Sequence, residues 1–179
     1  MTPTEPKTRS TKTPNLADAS VNDVITYLVD EQHANLRASL ARVQSLLATI
    51  SASQTPQSPD LLRITEIVDG FDDVLIDHID REEQIVFPLI KILDQRNALP
   101  LYNREHVNSP VNQLQTEHNQ STEVFAALRE LTDSYTKIDG ASSNYNQLMD
   151  DLKSFETSME DHVETERTYL FARISRELN

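Results

Sequence analysis

Two histidine–glutamate pairs in this chain share one spacing: His78 with Glu82, and His162 with Glu166. Residues four apart on a helix stand one turn apart on the same face, so each pair would aim an imidazole and a carboxylate in one direction. Two more histidines, His33 and His118, stand alone on the apolar stripes of other segments. Together these are metal ligands. Imidazole suits iron, copper, nickel and zinc, and a carboxylate between two cations can bridge them through both oxygens. Six protein ligands exceed the four of a tetrahedral zinc. If both glutamates bridge, each ion takes two histidines and two carboxylate oxygens, with room for a solvent-derived bridge and an open position. That pattern favours a reactive di-iron site.

Each part has a blander reading. A lone histidine on an apolar face is more often a hydrogen-bonded core residue, and an HxxxE pair is usually a helix ion pair worth a few tenths of a kcal/mol. The blander reading becomes expensive when all six groups are buried together, because uncompensated buried charge costs several kcal/mol. The fifth histidine, His106, lies between Pro100 and Pro110 among polar residues and is expected to be exposed. Glu83, Glu117 and Glu164 read as solvated faces, and Arg37, one turn after His33, is placed to pair with a carboxylate near the site. The chain has no cysteine. Disulfides, thiolate ligands, a thiol nucleophile and cysteine-held iron–sulfur clusters are therefore excluded, and redox chemistry must come from oxygen and nitrogen ligands.

The elements that must position these residues are helical. With two glycines and no tryptophan in 179 residues, and abundant Leu, Ala, Gln and Glu, the composition predicts an all-α domain. Four segments show helical periodicity, at about 20–51, 61–95, 110–137 and 143–177. The first opens at Ser20 with Asp23 three residues on, a capping pattern, and carries Ile25, Val29, Leu36, Leu40, Val43, Leu47 and Ile50 with His33 in mid-stripe. The second presents His78 and Glu82 between the apolar sets Ile64 to Leu75 and Ile85, Leu89, Ile92, and Pro88 should kink it. The third carries Val111, Leu114, Phe125 and Leu128 with His118 and Ser121; the fourth carries Leu148 to Met159, then Leu170 and Ile174, around His162 and Glu166. Ser- and Pro-rich residues 51–60 and the stretch 96–110 read as connections. Four helices with short connections predict an up-down-up-down antiparallel four-helix bundle, residues 19–179.

Residues 1–18 are rich in Thr, Pro and Lys and nearly devoid of apolar side chains, which predicts a disordered tail. A transit peptide is the rival reading, which the prolines argue against. The net charge of -13 disfavours nucleic acid and an anionic membrane surface. No apolar run nears the roughly 20 residues that cross a bilayer, and no secretory h-region is seen, so the cytoplasm is the expected location.

At these residues the chain resembles the hemerythrin-like superfamily, and within it the repair-of-iron-centres branch of di-iron proteins. The resemblance spans about 21–176 and rests on HANLR at His33, HIDREEQIVFP from His78, SPVNQLQTEH ending at His118 and HVETERTYLFAR from His162. It implies two non-haem irons, oxo- or hydroxo- and carboxylate-bridged, with His33, His78, His118 and His162 as nitrogen ligands and Glu82 and Glu166 as bridges. Oxygen-carrying hemerythrins have HxxxH on the third helix and HxxxxD on the last; here Thr122 stands four after His118 and the last motif is HxxxE. Many repair-type proteins carry an extra N-terminal cysteine-containing domain, for which this chain has neither the length nor a cysteine. The implied function is repair or protection of iron–sulfur clusters under nitrosative or oxidative stress, by iron supply or by nitric oxide reduction, with oxygen, nitric oxide and damaged iron–sulfur proteins as partners. The alternative is a reversible oxygen or nitric oxide sensor or store.

Overall fold

The computed structural model describes residues 15–53, 59–96 and 104–173; residues 1–14 of the expected tail, 54–58 of the expected 51–60 loop, the connection at 97–103 and Ile174 lie outside them. Among the described residues there is no strand, and the helices line up as four rods. The first is α1 (Val21–Tyr27), a π-helical turn (Leu28–His33) and α2 (Ala34–Ala52); the second is α3 (Pro59–Arg81), a π turn (Glu82–Val86) and α4 (Phe87–Arg96). The third is α5 (Arg104–Leu131), and the fourth is α6 (Ser143–Thr165) with a π turn (Glu166–Phe171). Capping starts two of them as expected from residue type. Ser20 Oγ accepts from the Asp23 N–H at 3.1 Å, and Ser142 Oγ from the Tyr145 N–H at 3.2 Å.

Two hydrophobic cores show how the rods run. The larger joins Leu36 to Leu47, Leu61 to Ile79, Phe125 and Leu128, and Leu148 to Met159. The smaller joins Leu16 to Leu28, Val86 to Leu93, Leu114, and Leu170 with Phe171. Along the chain the first and third rods pass from small core to large, and the second and fourth from large to small. The bundle is therefore up-down-up-down, and each rod crosses from one core to the other at its histidine. Among the described residues packing already includes Leu16, a few residues before the expected domain start; Arg173 Nη1 donates to the Ala19 carbonyl at 2.8 Å and ties this end to the fourth rod.

The π turns change which residues face inward. Simple α periodicity after His78 and Glu82 puts Ile85, Leu89 and Ile92 in the core. The structure leaves Ile85 at 54% and Ile92 at 47% exposed and buries Val86, Ile90 and Leu93 instead. The extra residue of the π turn advances the inward register by one position, because its i→i−5 bonds absorb a residue that an α turn would not. The Phe87 N–H bonds the Glu82 carbonyl, and Pro88 falls in the first turn of α4, where its missing N–H costs little. The disturbance expected at Pro88 thus takes the form of a π turn just before it. In the first rod the same device steps from Leu28 to His33, both fully buried.

The third helix differs from expectation at both ends. It begins at Arg104 and carries Pro110 inside it, so 104–109 are helical and not connection. It stops at Leu131, six residues early, because Asp133, Ser134 and Tyr135 all take positive φ (46°, 58° and 62°) and turn the chain back without a glycine.

Candidate metal centre

Between the two cores lies a layer of buried polar side chains: His33, Glu82, His162 and Glu166 at 0% exposure, His78 at 2% and His118 at 7%. The three π turns among the described residues all abut it. One ends on His33, and the others begin on Glu82 and Glu166. π turns often mark functional sites, where they re-aim a side chain that α geometry would misplace. His78, Glu82, His118, His162 and Glu166 each offer a ligand atom within 4.8 Å of the others'. His33 joins through Glu82, its Nε2 at 3.2 Å from Glu82 Oε2, while His78 Nε2 lies 3.2 Å from Glu82 Oε1. His118 Nε2 is 3.2 Å from Glu166 Oε2, and His162 Nε2 is 3.7 Å from both Glu82 Oε2 and Glu166 Oε2. All six residues singled out in the sequence thus meet in one place.

These contacts leave hydrogen bonding unmet. His33 Nε2, both ring nitrogens of His162 and all four carboxylate oxygens of Glu82 and Glu166 are buried without a hydrogen-bond partner. At about 1–3 kcal/mol for each orphaned group, the penalty rivals the roughly 5–15 kcal/mol that holds a domain folded. Charge is unbalanced as well. Burial, followed by the negative charge of Glu166, raises the Glu82 carboxyl well above its ordinary range. Burial would raise Glu166 too, but the imidazoles of His162, His118 and His78 bring it down to about 2. Burial pushes His162 down to about 3, against the pull of Glu166. Nitrogen lone pairs and carboxylates crowded together in a dry layer are the donor set of a cation site.

Outward from the layer the two halves differ. His33 Nδ1 is 2.8 Å from Glu83 Oε1, and Arg37 Nη1 donates to that same oxygen at 2.9 Å while its Nη2 reaches Asp80 at 2.8 Å. His78 Nδ1 is 2.8 Å from Glu117 Oε2, whose other oxygen accepts from Arg81 and Gln113. Burial would raise both glutamates, but hydrogen bonds from Arg37 and His33 hold Glu83 below its ordinary value, and those from His78 and Gln113 do so for Glu117. Glu83 and Glu117 were expected to be solvated, so this is a correction: each faces a histidine on the preceding rod. Their spacing from their partners, 50 and 39 residues, leaves no local signal. Arg37 pairs as expected, and Glu164 is exposed, bonded to Arg167. The side chain of His106 lies outside the described residues.

Two side chains complete the surroundings. Phe87 stacks on His33 with ring centroids 5.7 Å apart and planes at 14°. Thr122 points its hydroxyl at the His118 carbonyl, 3.1 Å away, and is not turned to the cluster as a ligand. A slot of about 200 Å³ between α5 and α6 is lined by Ser121, Thr122, Phe125, Met159 and Val163 with the charged Arg129, Glu156, Glu160 and Glu164; it begins one helical turn along from His118, and none of the six cluster residues lines it.

A four-helix bundle with histidines and carboxylates converging between two cores defines a class, and the chain belongs to it: residues 24–174 match the hemerythrin HHE cation binding domain. Among individual proteins it is similar to the iron-sulfur cluster repair protein ScdA of Staphylococcus epidermidis, 21% identical over 168 residues, covering 94% of this chain and 73% of that one. It is 26% identical over 166 residues to the iron-sulfur cluster repair protein YtfE of Musicola paradisiaca, covering 90% of this chain and 69% of the relative. It is 23% identical over 150 residues to the iron-sulfur cluster repair protein DnrN of Neisseria gonorrhoeae, covering 84% and 88% respectively. No helix among the described residues is long and apolar enough to cross a membrane.

Proposed function

We propose that this protein is a non-haem di-iron protein that serves the repair and protection of iron–sulfur clusters under nitrosative or oxidative stress. The observation that carries the reading is the buried layer of imidazoles and carboxylates left without hydrogen-bond partners. Relatives of the same family named as iron-sulfur cluster repair proteins support it. In this reading His78 and His118, whose Nε2 atoms are 3.2 Å apart, would together hold one ion. His33 and His162, with ring centroids 5.1 Å apart, hold the other. Glu82, with one oxygen toward His78 and the other toward His33, and Glu166, beside His118, would supply the carboxylates that the ions share.

Two ferrous ions, when bound, would supply the two electrons that convert two nitric oxide molecules and two protons to nitrous oxide and water, or would themselves be the iron passed to a damaged cluster. The chain's own residues do the rest. The two cores keep bulk water from the layer, Glu82 and Glu166 would hold the cations through their carboxylates, and the slot by Ser121 and Thr122 has room for a ligand of a few atoms. The cytoplasm, where such clusters are made and damaged, is the location this role requires. Reversible oxygen storage is disfavoured because Thr122 bonds the helix backbone where an oxygen carrier would present a further histidine. The test is to mix anaerobically reduced protein with nitric oxide and oxygen in turn, following absorption and product gas, and to add the iron-loaded protein to a nitric oxide-damaged iron–sulfur enzyme. Nitrous oxide or restored enzyme activity is expected. A stable oxygen adduct released intact under vacuum, with inertness to nitric oxide, would favour the carrier instead.

A further inference from the structure

Glu83 and Glu117 are not in the cluster, yet each meets a histidine that is, and each does so from the next rod along. Glu83, beside Glu82 on the second rod, serves His33 on the first; Glu117, beside His118 on the third, serves His78 on the second. Neither carboxylate is free to swing. Glu83 is gripped by Arg37, itself tied to Asp80, and Glu117 by Arg81 and Gln113. An ionised carboxylate can only accept, so a ring nitrogen 2.8 Å from it must carry the proton. The other nitrogen, Nε2, then keeps its lone pair, and in both residues Nε2 is the atom 3.2 Å from Glu82. On the fourth rod the pattern lapses. Gln32, beside His33, reaches across to Thr165 at 3.1 Å, but its Oε1 is buried without a partner, as is His162 Nδ1.

We propose that Glu83 and Glu117 are positioning residues that lock His33 and His78 in the Nδ1–H tautomer and so present Nε2 to the cations. The arrangement stiffens the first two rods' contribution to the centre and leaves the fourth rod's histidine without a comparable brace. It rests on the metal reading above for what the locked nitrogens bind, but the lock itself belongs to the polypeptide.

The experiment uses the full chain with ¹⁵N-labelled imidazoles. In the metal-free protein, two-bond ¹H–¹⁵N correlations report each tautomer, and Fe²⁺ affinity is then read by competition with a chromogenic chelator under anaerobic conditions. Wild type should show His33 and His78 as Nδ1–H. Glu83→Ala should release His33 alone and Glu117→Ala His78 alone, each weakening Fe²⁺ binding about 10–100-fold. Glu83→Gln and Glu117→Gln keep an acceptor without its charge, so they should retain the tautomer and recover part of the affinity; if an alanine variant fails to fold, these two decide. Exposed Glu164→Ala should change neither readout. Unchanged tautomers in folded alanine variants, or a wild type with His33 or His78 as the Nε2–H tautomer, would overturn the proposal. A wild type that keeps both tautomers but binds no Fe²⁺ would sink the di-iron reading and leave the lock standing.

Discussion

The first two rods and the last two contribute two histidines each to the polar layer, but they surround them differently. His33 and His78 are each backed by a carboxylate gripped by an arginine, and His33 is covered by the stacked ring of Phe87. Among the described residues, the ion-pair contacts of His118 and His162 are with Glu82 and Glu166 alone, and the slot by Ser121 and Thr122 lies on the same pair of helices. One side of the centre is therefore braced, and the other is left without a comparable brace. A centre that must hold cations and admit a small reactant needs both properties, and this bundle assigns them to different rods.

The comparison breaks most completely if the shared element goes. Glu82 touches histidines of both halves, so Glu82→Ala should reduce metal from about two ions per chain to at most one, on the two-metal reading of six ligands. The same substitution removes an orphaned buried carboxylate from the metal-free protein and should raise its thermal midpoint. Metal analysis and calorimetry of both forms check this; loss of metal with no change in the metal-free midpoint would mean the layer is not strained by its own charges. Within the fixed half, Phe87→Ala should cost about 3–5 kcal/mol in chemical denaturation, since it empties a fully buried aromatic site in the smaller core. On the unbraced side Thr122→Phe should leave the metal count near wild type while slowing nitric oxide binding in stopped-flow mixing. Equal binding rates would show that the slot is not the way in.

The smallest effect lies outside both halves. Tyr135 is 8% exposed in the larger core with its hydroxyl unpartnered, and burial pushes the phenol up to about 12. The folded state then keeps a proton that the unfolded chain, with its tyrosine near 10, gives up. Stability contributed by this proton is complete below about pH 10 and falls as pH rises toward 12. Tyr135→Phe should match wild type or slightly exceed it at neutral pH and should flatten the alkaline part of the pH–stability curve. Metal content should not change.

The six residues that meet in the layer were legible in the sequence because two pairs are spaced by one helix turn and because each interrupts an apolar stripe. His78 with Glu82 and His162 with Glu166 fall within single helical turns, so no knowledge of packing was needed. The bundle followed from four such stripes and short connections. Three things were not legible. The π turns leave no mark in residue type, so Ile85 and Ile92 were counted inward by α periodicity, while the real register buries Val86, Ile90 and Leu93. The roles of Glu83 and Glu117 depend on side chains from neighbouring rods meeting at one depth, which periodicity along a single rod cannot reveal. The early end of α5 is made by three non-glycine residues at positive φ, a conformation that sequence alone assigns to glycine or asparagine.

The most direct test of the account is the metal content of protein purified from iron-replete cells, taken with its absorption spectrum. The buried, unpartnered ligand layer predicts about two irons per chain and bands typical of a bridged ferric pair. A single zinc, or no metal at all in protein so purified, would contradict it.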